Sequence, residues 1–69
     1  MEEFILKGKV TRVLPKGEFK VALEENGVEV HCRPSGKMRK YYIKMVEGDQ
    51  VLVRMTPYDL TKGVITQRG

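Results

Sequence analysis

Between residues 4 and 14 the apolar side chains recur at every second position. Phe4, Leu6, Val10 and Leu14 share one face with Gly8, while Lys7, Lys9 and Thr11 take the other. A period of two marks a strand with one buried side. Arg12 breaks the pattern, and Gly8 is where a bulge or sharp bend is cheapest. The chain has 69 residues and one cysteine, so no internal disulfide staples it, and a domain of this size hides only about 60% of its unfolded surface. A chain of this size needs an economical architecture, and a long, bent first strand is what a small closed barrel requires.

The rest of the chain continues the alternation. Pro15-Lys16-Gly17 supplies a turn. Phe19, Val21 and Leu23 then share a face, and Asn26-Gly27 is a two-residue hairpin signal. A type I′ turn there pairs Glu25 with Val28, Leu23 with Val30, Val21 with Cys32 and Phe19 with Pro34. The same register sets Lys20 against Arg33 and Glu24 against Glu29 on the outer face. Like charges so placed repel. Either an anion lies over Lys20 and Arg33, or both side chains splay into water.

Ser35 is suited to cap a helix over residues 37–45. On a helical wheel Met38, Tyr42 and Met45 share an arc that plugs the barrel floor, and Lys37, Lys40, Tyr41 and Lys44 share an outward one. A turn at Glu47-Gly48-Asp49 leads to a strand in which Val51, Val53 and Met55 alternate until Pro57. Residues 58–63 read as a compact connection in which the Tyr58 ring packs over a barrel end, and residues 64–68 as a last short strand. Three strands, a short helix and two strands predict an all-β, five-stranded Greek-key barrel of the oligonucleotide-binding (OB) type, with the helix between strands three and four. An open sheet covered by one helix is the alternative. The predicted organisation is a short tail at 1–3 and one domain from 4 to 69.

Charge is distributed unevenly. Residues 1–17 sum to +2, residues 18–30 to −3, residues 31–44 to +5 and residues 45–69 to zero. Over the fourteen positions from 31 to 44 there are five cations and no acid. One concentrated positive site containing aromatic rings suits a surface that meets phosphate and stacks bases. Charge runs are also commonly plain solvated turns.

Catalytic signals are weak. His31 and Cys32 are the only residues of their kinds and, as neighbours on a strand, point to opposite faces. Gly36-Lys37 lacks the first glycine and the hydroxyl residue of a phosphate loop; His31 and Met38 stand in those places. Asp49 and Asp59 lie in turns without partners for acid–base or metal chemistry. The expectation is a protein that is not an enzyme and needs no metal or cofactor. No apolar run exceeds three residues, which gives no membrane span or secretory core. A single unpaired cysteine fits a reducing, cytoplasmic setting.

Ser35-Gly36-Lys37-Met38-Arg39-Lys40 followed by Tyr42-Ile43, with Thr56-Pro57-Tyr58-Asp59-Leu60 and Lys62-Gly63 further on, resembles bacterial translation initiation factor one. Gly48-Asp49, Leu14-Pro15 and Glu25-Asn26-Gly27 add to the match, which runs from about Gly8 to Arg68. The resemblance implies a monomeric barrel in the A site of the small (30S) ribosomal subunit. There it would contact the decoding helix of 16S ribosomal RNA, a second RNA loop and a neighbouring ribosomal protein, and work with initiation factors two and three. A generic RNA-binding barrel or RNA chaperone is the rival, and a module for an acidic protein partner is another.

Lys37, Arg39 and Lys40 carry over from the family's RNA-contacting region, and Lys44 stands where arginine is usual. Arg39 suits a planar contact to phosphate or a displaced base, and the three lysines act as point charges. Four departures bear on the site. Tyr41 replaces the usual asparagine and either adds a stacking ring, the preferred reading, or merely occupies solvent. Arg33-Pro34 replaces a histidine and an aliphatic residue. Val64 stands where arginine is common, and the N-terminal tail is shorter and more acidic. Lys20 and Arg68 complete the set of candidate RNA-binding residues.

Overall fold

The computed structural model describes residues 3–41 and 44–69. Five strands close into a barrel in the order β1-β2-β3-β5-β4, with β1 at Phe4–Leu14, β2 at Glu18–Leu23, β3 at Glu29–Pro34, β4 at Gln50–Thr56 and β5 at Asp59–Arg68. One α-helix, α1, spans Gly36–Lys40 between β3 and β4. The long β1 pairs antiparallel with β4 and with β2, and closure comes from a parallel pairing of β3 with β5. This is the five-stranded barrel that the alternation predicts.

The interior is wholly apolar. Val10, Val21, Val30, Cys32, Val51, Val53 and Ile65 are fully buried, and Phe19, Leu23, Met38, Met45 and Met55 nearly so. No polar or charged residue is buried among the described residues. Each of these positions lies in the inward phase of its strand or plugs an end. Leu6 packs against the cluster from the edge.

Gly8 corrects the expectation of a bulge there. It keeps regular partners on both sides, Leu23 and Val51, and the register shifts instead between Val10 and Arg12. Thr11 is the extra residue, which is why Arg12 falls out of phase. A Cβ on Gly8 would lie 2.5 Å from Val21 Cγ1 and 3.0 Å from the Ala22 carbonyl oxygen, so the missing side chain serves a close crossing of β1 over β2.

The β2–β3 hairpin is also offset from expectation. Phe19 pairs with Cys32, Lys20 with His31, Val21 with Val30 and Ala22 with Glu29. Leu23 N–H donates to the Val28 carbonyl at 2.9 Å and Gly27 N–H to the Leu23 carbonyl at 2.8 Å, which closes a four-residue loop. Asn26 Oδ1 accepts the Val28 N–H at 3.0 Å. That side-chain turn, with Gly27 at φ 71°, outcompetes a two-residue turn. The shift is two residues, so the buried faces are preserved, but the outer pairs change. Lys20 does not face Arg33 and Glu24 does not face Glu29.

Two further segments differ from the sequence reading. The described helix has five residues rather than nine, and Tyr41 is its C-cap; an aromatic residue extends a helix less well than a straight-chain one. Tyr42 falls outside the described residues, so its expected core role does too. Beyond the helix, Asp49 captures the Val46 N–H with its carboxylate at 3.0 Å, and Gly48 and Asp49 bond the Val10 backbone, which holds the turn expected at Glu47-Gly48-Asp49. Residues 59–63 are strand, because Thr56 pairs with Asp59 across a tight turn at Pro57 and Tyr58. Tyr58 is 81% exposed and does not cap the barrel.

Candidate nucleic-acid interface

The basic segment is fastened at three points and open between them. Ser35 Oγ accepts the Met38 N–H at 3.3 Å, capping the helix start, while the Ser35 N–H donates to the Ile65 carbonyl of β5 at 2.9 Å. Met38 and Met45 are buried under the segment. With those anchors sunk in the barrel, Lys37, Arg39, Lys40, Tyr41 and Lys44 are left at the surface.

None of Lys37, Arg39, Lys40 or Lys44 forms an ion pair with a described residue; the two pairs present there are His31 with Glu18 and Arg54 with Glu3. Lys37 and Lys40 stand three residues apart on the one-turn helix and repel each other, and a bound polyanion relieves that repulsion. Tyr41 is 62% exposed, with the Lys40 ammonium 5.7 Å from its ring centroid. The ring lies flanking the cations, free to stack on a base.

Arg68 reaches this region from the far end of the sequence. Its Nη1 donates to the Lys44 carbonyl at 2.6 Å, so one arm of the guanidinium holds the backbone that carries Lys44. Lys20 and Arg33 lie on the outer face of β2 and β3. There Lys20 is paired with His31, and His31 Nε2 meets Glu18 Oε1 at 2.5 Å. The structure thus gathers Lys37, Arg39, Lys40, Tyr41, Lys44 and Arg68 at one end of the barrel and sets Lys20 and Arg33 on an adjoining wall.

Cations not counted among the candidate site residues join that wall. Lys62 is the β5 partner of His31, and Val64 is flanked by Arg33 on β3 and Arg54 on β4. The arginine that the resemblance expects at position 64 is missing, yet a guanidinium stands on either side of the gap. Lys62 escaped notice because residues 58–63 read as a connection; strand parity from Ile65 backwards points it outward.

Among the described residues, no cluster of three or more His, Cys, Asp or Glu side chains is placed to hold a metal ion. Cys32 is buried, and desolvation pushes its thiol up to about 12, opposed by the nearby Lys20 charge. A thiol held neutral in this way is a core residue and an inert one. Asp59 is held below the usual carboxylate range, chiefly by the Thr61 hydroxyl and N–H that it accepts.

No helix among the described residues is long and apolar enough to cross a membrane. Comparison with known proteins supplies the family. The solution structure of translation initiation factor one from the Wolbachia endosymbiont strain TRS of Brugia malayi superposes with a TM-score of 0.79 at 43% identity, over 97% of this chain and 78% of that one. YjeQ from Thermotoga maritima matches with a TM-score of 0.76 at 29% identity, over 96% of this chain but 23% of its own. YloQ, a circularly permuted GTPase, matches at 0.75 and 22% identity, over 96% and 23%; this last likeness speaks to the barrel fold alone. The family model for translation initiation factor 1A / IF-1 matches residues 2–69, and with the barrel, the capped basic helix and that 43% identity, the chain belongs to the translation initiation factor 1A / IF-1 family.

Proposed function

We propose that this protein binds the A-site region of the small (30S) ribosomal subunit, through 16S ribosomal RNA and a neighbouring ribosomal protein, and assists initiation together with initiation factors two and three. Residues 4–69 act as one RNA-binding unit, as a monomer in the cytoplasm, and no bond is made or broken. The observation that carries this reading is the exposed cluster Lys37, Arg39, Lys40 and Lys44, which forms no ion pair with a described residue and is mounted on buried Met38 and Met45.

The physical roles follow from the side chains. Arg39 offers a planar fork for phosphate or a displaced base. Lys37, Lys40 and Lys44 neutralise backbone phosphates as point charges, and Tyr41 offers a ring to an unstacked base. Arg68 supports Lys44 from behind, and Lys20 and Arg33 extend the positive surface along the barrel wall. A folded RNA surface with splayed bases suits this set, because the deep groove of a paired stem is closed to side chains.

The test is a fluorescence titration of labelled protein against purified small subunits, competed with large subunits and with short single-stranded RNA. Saturable binding selective for small subunits, followed by an A-site footprint, is the expected result. Equal preference for free RNA would assign the protein to generic RNA binding instead. Binding that survives nuclease treatment would point to an acidic protein partner.

A further inference from the structure

The two ends of the barrel are finished differently. β1, β3 and β5 begin at one end, where β2 and β4 stop, and α1 follows the far end of β3. At the helix end Met38 and Met45 are sunk beneath the connection. The other end has no such plug among the described residues. Phe4, level with buried Met55, is 38% exposed, and Val28, two residues before buried Val30, is 50% exposed. Both continue the inward phase of their strands, yet both meet water.

Tyr58 and Leu60 join them from the β4–β5 turn, Leu60 at 57% exposure. The β3–β5 register, carried back from His31 and Lys62, sets Leu60 level with Glu29 and so beside Val28. Large apolar side chains gathered at one end, with a tyrosine among them, have the composition of a protein interface core. The charges around them are of one sign. Residues 3–6, 24–29 and 55–61, which form this end, hold five acids, Glu3, Glu24, Glu25, Glu29 and Asp59, and no lysine or arginine. Three cations flank these segments, Lys7, Arg54 and Lys62, and the end stays net negative with all three counted. Glu3 is matched by Arg54, Glu29 accepts the Thr11 hydroxyl and Asp59 the Thr61 hydroxyl, whereas Glu24 and Glu25 are exposed and form no ion pair with a described residue.

From this juxtaposition we infer that the end of the barrel opposite the helix docks a basic protein segment, with an aliphatic side chain seated among Phe4, Val28 and Leu60 and its lysines or arginines over Glu24 and Glu25. Complementary charge selects the occupant: acids around an apolar centre repel phosphate and attract cations. The molecule is then two-ended, with its cations at residues 31–44 turned to RNA and its acidic, apolar end turned to protein. The docking surface uses no residue of the basic helix and goes beyond the RNA-binding function proposed above.

The experiment is a titration of isotopically labelled full-length protein with a short synthetic peptide of leucines flanked by arginines, followed by amide chemical shifts. Two control peptides replace the leucines by glycine or the arginines by glutamate. Saturable shifts at residues 4–6, 24–29 and 58–61 are expected with the arginine–leucine peptide and with neither control. The double variant Val28→Ser/Leu60→Ser is expected to lose affinity for it by roughly tenfold, the scale of a lost interface anchor, with a dispersed spectrum that shows the fold intact. Glu24→Gln/Glu25→Gln, which alters only exposed side chains, should weaken binding in the same direction. Absence of saturable shifts, or shifts confined to residues 35–44, would overturn the docking surface. Equal binding of the glycine control would overturn the apolar anchor, and equal binding of the glutamate control the choice of a basic partner. Shifts at the same residues on raising the concentration of the protein alone would make the occupant a second copy of the chain and overturn the assignment.

Discussion

The barrel interior and the segment from residue 33 to residue 44 are built on opposite rules. Inside, every described position is apolar and no charge is buried; the strand ladders satisfy the backbone and packing does the rest. In the segment, a one-turn helix sits on two buried methionines and presents like charges to water with no acid to offset them. A helix so short is marginal by itself, so its position is lent to it by the barrel. On the proposed function, stability and recognition reside in different regions, and substitutions in the two should fail in different ways.

The largest effect is expected in the interior. Ile65→Ala should cost about 2–5 kcal/mol of stability through the cavity it leaves, a large share of what a 69-residue domain possesses. Chemical denaturation checks this, and the fraction that remains folded should bind small subunits normally. Gly63→Ala probes the same packing from the other direction. Its added Cβ would overlap Val53 Cγ1 and lie 3.3 Å from Met55 Cγ, and overpacking of that kind should cost about 1–3 kcal/mol. An unchanged denaturation midpoint would show that β5 can move away from β4.

Arg39→Ala should act the other way round, lowering small-subunit affinity by about 1–3 kcal/mol while leaving the melting temperature in place. Loss of folding in this variant would abolish the distinction between the two regions. Ser35→Ala lies at their junction. It removes the cap on Met38 N–H and should cost about 1 kcal/mol, read as a small loss of stability together with faster amide exchange in the helix.

Cys32 sharpens the comparison through pH. Its folded-state pKa, about 12, lies above the ordinary thiol value of 9.0, so the unfolded chain loses the thiol proton first. The contribution of the neutral thiol is complete below pH 9 and drains away as pH rises from there toward 12. Alkylation at neutral pH should accordingly be slow in the folded protein and rapid in denaturant. Fast labelling of the native protein would mean that the barrel opens at β3.

Where the sequence was legible, packing followed strand parity. Val10, Val21, Val30, Val51, Val53 and Ile65 are buried as a period of two requires, and the Ser35 cap was recognisable from its side chain. What escaped was decided by local competition. Asn26 can form a side-chain turn in place of a two-residue hairpin, and only the hydrogen bonds to Val28 and Leu23 show which wins. The Gly8 reading failed because a missing Cβ serves a bulge and a close crossing equally well, and the choice depends on Val21 from another strand.

The same limit applies to the site. The cations of the helix stood out because they are contiguous in sequence. Arg33, Arg54 and Lys62 converge only through the β3–β5–β4 pairing, which no local pattern encodes. The tie between Arg68 and the Lys44 carbonyl, across 24 positions, was hidden for the same reason.

The most direct measurement is the salt dependence of small-subunit affinity for the native protein and for Arg39→Ala, taken side by side. If about four phosphates are neutralised, log affinity should fall with log salt at a slope of roughly −3 to −4, and the variant should be shallower by about one if Arg39 meets phosphate. A nearly flat dependence in the native protein would contradict electrostatic recognition by the segment and place the affinity in shape and apolar contact.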